Sequence, residues 1–391
     1  MNKFILDPAV QQYINQNLQA DVNHIALAKS PFKNVSSKEL SSQIKAKRKA
    51  EKKLPTWFKG QSIYFPEPLS IEQSSSETTA AYKASLIGEG KLIDLTGGFG
   101  VDSYYFAKTA VQVLHCEINE DLSQLAAHNA GVLGAENIQF LAGDGMAYLS
   151  QQSEQFETIY IDPARRSEMG KVFMLKDCTP NVVENLDLLL NSAKKVIVKT
   201  SPLLDITAGL KELSHVTEVH IVSTKNECKE LLFVMEKDQD KPLKMISTTL
   251  NEGIKQFTFE QDQKAKPVFA EKLLTYLYEP DVALLKSGNF SYIGAKYGLE
   301  KLQEQTQLYT SADFRPEFPG RIFKIEELIS ASDLKKKKDL SYNVLVRNYP
   351  GQAATLAKKY KIKSGQGDFL IFTQGIKGKI LIIKAKILQH Y

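Results

Sequence analysis

Apolar positions change their spacing sharply near residue 90. Before it no stretch alternates as a strand does, and "DPAVQQYINQNLQADVNHIALA" and "SSKELSSQIKAKRKAEKK" read as helices, the second opened by a capping box in "SSKE". Pro55, Pro66 and Pro68 are expected to break the pattern. "SIEQSSSETTAAYKASLI" then restarts a helix, with a serine among residues 74–76 as its N-cap.

From Lys91 short β-branched runs take over, separated by helical stretches. "KLIDLT", "VQVLHCEI", "IQFLAGD", "FETIYIDP" and "KKVIVKTSP" are successive strands, and "VDSYYFAK", "EDLSQLAAHNAGVLG", "GMAYLSQQ" and "CTPNVVENLDLLLNSA" are the intervening helices. Strands apolar on both faces and alternating with helices predict a Rossmann-like, doubly wound α/β domain built on a parallel sheet. "VTEVHIVST" and "ELLFVMEK", with no helix between them, are expected to close it as an antiparallel edge pair. After a polar linker over 237–244, the tail reads strand–helix–strand–strand, a small α+β module with Arg347, Lys379, Lys384 and Lys386 on its strands and one face expected to be basic. The predicted organisation is a helical N-terminal region over 1–70, an α/β domain over 71–240 and a C-terminal domain over 241–391.

Charge and cysteine content narrow the setting. The net charge of +5 is uneven: "KAKRKAEKK" at 45–53 carries six basic residues against one acid, and from Lys335 onward 13 Lys and Arg face only Asp339 and Asp368. Such clusters suit a phosphate backbone, the favoured reading, although a solvated lysine-rich face looks the same. No apolar run reaches the roughly 20 residues of a membrane span, and the N-terminus lacks a signal-peptide layout. Cys116, Cys178 and Cys228 are scattered, which suggests neither a disulfide framework nor a metal ribbon, and a cytoplasmic setting is expected.

The chemistry concentrates at "KLIDLTGGFGVDSYYFAK", residues 91–108, where a strand ends in Asp94 and Gly97, Gly98 and Gly100 precede a helix. Such a turn brings backbone close to a ligand. A dinucleotide fingerprint requires a third glycine where Ser103 stands, and Asp102 opposes a pyrophosphate but tolerates a cation. S-adenosyl-L-methionine, with its sulfonium and ammonium, asks for this backbone and for acids at the strand ends. Glu117 after the second strand suits the ribose hydroxyls, Asp144 after the third suits the adenine amine, and Asp162 ends the fourth.

"DLTGGFG" resembles the first motif of class I S-adenosylmethionine-dependent methyltransferases, with Thr96 where a glycine commonly sits. The resemblance implies a donor site of Asp94, Thr96, Gly97, Gly98, Gly100, Glu117, Ile118, Asp144 and Gly145, with Gln73, Ser75 and Thr79 as lid contacts. It places Asp162 and Pro163 at the catalytic position after strand four, where amino-methylating relatives continue with a second proline and an aromatic. Here Ala164, Arg165 and Arg166 follow instead, and the arginines, with Lys199 and Ser201, are the candidate substrate contacts, or else order the loop by pairing with nearby acids. No metal is expected. A catalytic thiol is disfavoured, and His115 reads as a core or pocket-wall residue. The whole chain is similar to a bacterial methyltransferase group with a THUMP-like C-terminal domain, through "IEQSSSETTAAYKA", "YIDPARR", "VKTSP", "FPGRIFKI" and "VRNYPGQAATLAKKYKIKSGQGDFLIFT". THUMP domains bind structured RNA, so the resemblance implies methylation of a base in tRNA or rRNA, with the basic 45–53 helix and the tail on the RNA backbone. An RNA-binding protein with a vestigial methyltransferase domain, and a methyltransferase for small molecules or proteins, remain alternatives.

Overall fold

Helices lead the chain: α1 (Pro8–Gln16), α2 (Val22–Leu27), α3 (Ser37–Lys53), α4 (Pro55–Lys59), α5 (Pro68–Gln73) and α6 (Glu77–Ala84). The computed structural model describes residues 1–165, 174–237 and 241–391. At the start of α3 the capping box forms, Ser36 Oγ accepting from Glu39 N at 3.2 Å and Glu39 Oε2 accepting from Ser36 N at 2.8 Å. Pro55 and Pro68 do not merely interrupt: each opens a short helix at its first position, where a missing N–H costs nothing. The helix expected across residues 70–87 is split at Ser74 and Ser75, and Ser76 caps α6 by accepting from Thr79 N at 3.2 Å.

The basic stretch 45–53 is largely consumed by the fold. Ala46, Lys47 and Ala50 face inward on α3, and Lys47 is buried with its ammonium 5.6 and 5.9 Å from the Phe58 and Phe65 rings. Arg48 donates to the carbonyls of Asn17 and Ala20, Lys49 pairs with Glu72, and Lys53 donates to Glu72 O at 2.6 Å. Lys45 and Lys52 stay exposed.

The chain divides into two units, Met1–Thr217 with Phe233–Asp240, and Glu218–Leu232 with Lys241–Tyr391. In the first, β1 (Lys91–Asp94), α7 (Val101–Phe106), β2 (Gln112–Glu117), α8 (Glu120–Val132), β3 (Ile138–Ala142), α9 (Gly145–Ser150) and β4 (Phe156–Ile161) alternate as expected. Two-residue strands β5 (Ala164–Arg165) and β6 (Cys178–Thr179) pair antiparallel, and α10 (Leu186–Ser192), β7 (Ala193–Thr200) and α11 (Ile206–Glu212) follow. The order β3-β2-β1-β4-β7 is parallel throughout, with the register Asp94↔His115 between β1 and β2. The helix expected from Cys178 begins only at Leu186. Asn181 Oδ1 instead accepts from Val183 N at 3.1 Å and Glu184 N at 3.3 Å, a local turn that competes with helix. The N-terminal helices and the α/β layer share a core: Ala46, Ala50 and Leu54 of the helices, Trp57 and Phe65 lie in one apolar cluster with Phe99, Val101 and Leu125.

β8 (Val216–Thr224) and β9 (Glu227–Met235), of which residues 218–232 belong to the second unit, flank Lys225 and Asn226, both at positive φ, the signature of a two-residue antiparallel hairpin. They are not the sheet's edge. β10 (Lys244–Leu250) lies parallel to β8, and β11 (Ile254–Glu260) antiparallel to β10. β12 (Tyr276–Pro280), α12 (Val282–Ser287), α13 (Phe290–Tyr297), β13 (Glu300–Gln303), β14 (Thr306–Ser311), β15 (Gly320–Leu328), α14 (Ala331–Lys336), β16 (Asn343–Arg347), α15 (Ala353–Tyr360), β17 (Asp368–Gln374) and β18 (Ile380–Gln389) complete it. These strands form a second sheet ordered β13-β14-β12-β15-β18-β17-β16. The expected strand–helix–strand–strand tail is its last part. Its strands are less basic than they read, because Arg347 pairs with the buried Glu279 at 2.5 Å and Lys384 with Glu326 at 3.0 Å. The other lysines from Lys335 onward are exposed.

Candidate active site

Asp94 ends β1 with its carboxyl group 1% exposed beneath the glycine turn. It accepts from Ser103 Oγ at 2.6 Å and from Thr96 N at 3.1 Å, so it closes the turn from below. Burial raises its pKa to about 7, with the nearby charges of Asp102 and Asp162 acting in the same direction. On the other side of Ser103 stands His115, fully buried, its Nδ1 3.0 Å from the hydroxyl and its pKa lowered by burial to about 3.

The turn is shaped by what lies behind and in front of it. A Cβ on Gly97 would fall 2.1 Å from the His115 ring, so glycine is required by close packing. Gly98 adopts φ +55° and Gly100 φ +84°. A Cβ on Gly98 would meet no protein atom nearer than Thr96 O at 3.9 Å, because that side opens into a cavity. Between the two, Phe99 turns inward, its ring 6.0 Å from that of Trp57. The turn is thus bolted down by an aromatic from the inside and bare on the outside.

The cavity holds about 720 Å³. Thr96, Gly97, Gly98, Gly100, Glu117, Ile118, Asp144 and Gly145 border it, as does Asp162 on the far side. Glu117 is pre-aimed by two backbone donors, Gly98 N to Oε2 at 2.9 Å and Asn119 N to Oε1 at 2.8 Å. Asp144 caps α9, accepting from Met146 N at 2.8 Å and Ala147 N at 3.2 Å. Beside these acids Ile118 is 78% exposed, an apolar shelf suited to a planar ring.

Other expected residues are placed differently. Asp94 does not border the cavity but supports the turn that does. Gln73 and Ser75 border it, whereas Thr79 is buried in α6 with its hydroxyl donating to Ser76 O at 3.1 Å. Lys199 forms an ion pair with Asp162, and Ser201 Oγ accepts from Leu203 N at 3.2 Å within its own loop. Pro163 is buried behind Asp162. The Arg165 side chain and all of Arg166 lie outside the described residues. Burial pushes the Cys116 thiol up to about 12, and Cys178 is buried, so neither is poised as a nucleophile.

Two features escaped the sequence reading. Lys83, with no exposed surface, lies 3.2 Å from Asp102 Oδ1 and 2.9 Å from Ser75 Oγ, while Ser75 Oγ and Tyr160 OH donate to Asp102 Oδ2 at 2.8 and 3.1 Å. Asp102 therefore does not face the cavity as a lone charge. Of the acids expected there, Glu117 and Asp144 make it hospitable to a cation, whereas Asp162 is paired with Lys199. A signal was present, since Lys83 follows Thr79 and Ala80 at helical spacing on a buried face. The second feature is a wall of Thr179, Pro180, Asn181, Glu184 and Asn185, hidden by reading that stretch as one helix.

Comparison with known proteins shows the family to which the chain belongs. A protein of Porphyromonas gingivalis W83, whose crystal structure is described as that of a candidate methyltransferase, is 31% identical, with a TM-score of 0.87 over 99% of each chain. The chain belongs to this methyltransferase family. A Mycobacterium tuberculosis protein named as an uncharacterised S-adenosylmethionine-dependent methyltransferase is 21% identical over 81% of this chain and 87% of its own length. A Mycoplasma mobile protein named as an uncharacterised RNA methyltransferase is 35% identical over 75 residues, 19% of this chain and 21% of that protein. Residues 276–319 match a ferredoxin-like domain family and residues 320–386 a THUMP domain-like family.

S-adenosyl-L-methionine is the methyl donor of this methyltransferase. The bare outer face of Gly98, the oriented Glu117 carboxylate and the exposed Ile118 give backbone, acid and apolar surface of the kind the donor requires. Replacing Glu117→Ala should weaken donor binding by about 1–3 kcal/mol in calorimetric titration, and unchanged affinity would remove Glu117 from the site.

Asp94 gives a pH-dependent prediction for the ligand-free chain. Folded, it keeps its proton up to about pH 7. Unfolded, it loses that proton near the ordinary aspartate value of about 3.9. Its contribution to stability is therefore complete below about pH 4 and declines as pH rises through about 7. Asp94→Asn cannot ionise, so its stability in urea melts should improve relative to the parent between about pH 4 and 8. A difference independent of pH would show that Asp94 is ionised throughout.

Proposed function

We propose that this methyltransferase modifies a base in a structured RNA, tRNA or rRNA, by direct transfer to nitrogen. The observation that carries the chemistry is Asp162, which stands at the end of β4 on the cavity that Gly98 and Glu117 also border. When bound, the donor would supply its sulfonium methyl group to the acceptor nitrogen and leave as a neutral thioether, and the proton that nitrogen loses would pass to Asp162 or to water. Asp162, paired with Lys199, is the carboxylate positioned to accept a hydrogen bond from that nitrogen and fix its approach. Asn181, Glu184 and Asn185 supply polar groups on the adjoining wall.

Support for RNA comes from the second unit. Its residues 320–386 match a THUMP domain-like family, and one relative is named as an RNA methyltransferase. From Lys335 onward the lysines other than Lys384 are exposed, whereas most basic side chains of 45–53 are engaged within the first unit. The tail, more than the N-terminal helix, is therefore the surface for phosphate. A cytoplasmic location accompanies this reading. Among the described residues no helix is long and apolar enough to cross a membrane, and no cluster of His, Cys, Asp and Glu is arranged for a metal.

Incubation with methyl-labelled donor and total RNA should give label that nuclease removes. Label in protein or small molecules instead would overturn the RNA reading. Asp162→Ala should bind the donor nearly as the parent does while turnover collapses; surviving turnover would place the chemistry elsewhere. RNA affinity should fall by roughly 10³–10⁵ between 50 and 200 mM salt if six to ten phosphates are contacted.

A further inference from the structure

Thr96 is the one residue with a side-chain hydroxyl in the turn of residues 95–100 after β1, and the structure gives it a task. The Asp162 backbone N–H donates to Thr96 Oγ1 at 2.7 Å. Thr96 belongs to the turn after β1 and Asp162 to the end of β4, so a side chain from the donor-binding turn holds the peptide that carries the proposed acceptor-binding carboxylate. Adjacent backbone bonds brace the same junction: Leu95 N donates to Tyr160 O at 3.0 Å, and Thr96 N donates to the Asp94 carboxyl. On the other side, Lys199 at the end of β7 grips the Asp162 carboxylate. Three neighbouring strand ends are joined through one residue.

We infer that Thr96 is a positioning residue for methyl transfer: its hydroxyl sets the Asp162 peptide relative to the donor turn, so that donor and acceptor groups meet in register. A glycine cannot do this. With no side-chain acceptor at position 96, the Asp162 N–H must find another partner or water, and the carboxylate loses the link to the turn that holds the donor. Methyl transfer needs attacking atom, carbon and leaving sulfur nearly in line, and small displacements of a positioning group are expensive in rate. The inference rests on the role proposed for Asp162.

Thr96→Val keeps the size and branching of the side chain and deletes the acceptor, whereas Thr96→Ser keeps the acceptor. Hydrogen exchange followed by NMR reads the link without any acceptor substrate: the Asp162 amide should lose protection by on the order of tenfold in Thr96→Val and retain it in Thr96→Ser. In methyl transfer, Thr96→Val should lower kcat about tenfold or more with donor Kd within about twofold of the parent, and Thr96→Ser should restore most of the rate. Equal kcat in Thr96→Val and the parent overturns the inference, as does equal protection of the Asp162 amide. A large rise in donor Kd with kcat unchanged also overturns it, making Thr96 a donor contact only. Asp162→Ala separates the two levels. If it stays active, the role of Asp162 itself fails; if it is inactive while Thr96→Val is fully active, only the positioning role fails.

Discussion

A carboxyl group buried under a backbone turn is the constraint from which the site follows. Asp94 has almost no contact with water, so it must be matched by donors or hold its proton, and the structure supplies Ser103 Oγ and Thr96 N. Those contacts fix the path of the chain through Gly97 and Gly98. The fixed path aims Gly98 N at Glu117, and Glu117 is thereby turned toward the cavity rather than into solvent. The pKa near 7 places this carboxyl at the border between neutral and charged in ordinary buffer. A cationic ligand nearby favours the charged form, so a sulfonium would reinforce the two hydrogen bonds that shape its own site.

The helical N-terminal region has its clearest structural role at that turn. Phe99 sits between two glycines in left-handed conformations, where the backbone is easily deformed. Its ring is held by Trp57, which also packs edge-on against Tyr104 of α7 at 4.9 Å. Trp57 lies on α4, and α4 packs into a cluster with Ala46 and Ala50 of α3. Asn129 of α8 extends the link, accepting from Tyr64 N at 3.0 Å and donating to Tyr64 O at 2.8 Å. The inward face of α3, including the buried Lys47, thus serves the stiffness of a loop distant in sequence. The aliphatic stem of a lysine can be buried over aromatic rings, and burial then presses its ammonium toward the neutral form.

How much of this was legible in the sequence follows from the range of each interaction. The parallel strands and the acids ending them were readable because period and position are local: Asp94, Glu117, Asp144 and Asp162 each follow an apolar run, and the sheet gathers their ends at one edge. The capping box of Ser36 and Glu39 was equally local. Partnerships were not. Nothing around Lys199 announces Asp162, 37 residues away, and nothing in "DLTGG" announces that Thr96 accepts from a peptide 66 residues on. The wall around Asn181 was missed for another reason: its apolar residues fit a helical period, but an Asn side chain satisfied the backbone first and the helix started at Leu186. The misjudged sheet edge belongs with these, since whether another strand pairs beside β8 is decided by residues beyond the polar linker.

Charge teaches the same lesson in a form that bears on function. Sequence composition weighs the lysines of 45–53 and those of the tail alike, yet a phosphate backbone responds only to cations that are both exposed and unpaired. In α3 the amphipathic pattern turns Lys47 inward, and the remaining basic groups find Glu72 and backbone carbonyls of the same unit. Around α14 and α15 the lysines lie on the solvent side of short helices whose apolar faces, Leu334, Leu356 and Tyr360, are committed to the core beneath. With so few acids after Lys335, the potential there is not cancelled locally, although Lys336 and Lys337 reach Asp333 and Glu327 at 3.3 Å. Exposed pairs at that distance are weak and readily exchanged, because each side chain is already hydrated and loses entropy when held. A polyanion that releases counterions on binding competes well against such partners, whereas it has little to gain from a lysine already buried over phenylalanine.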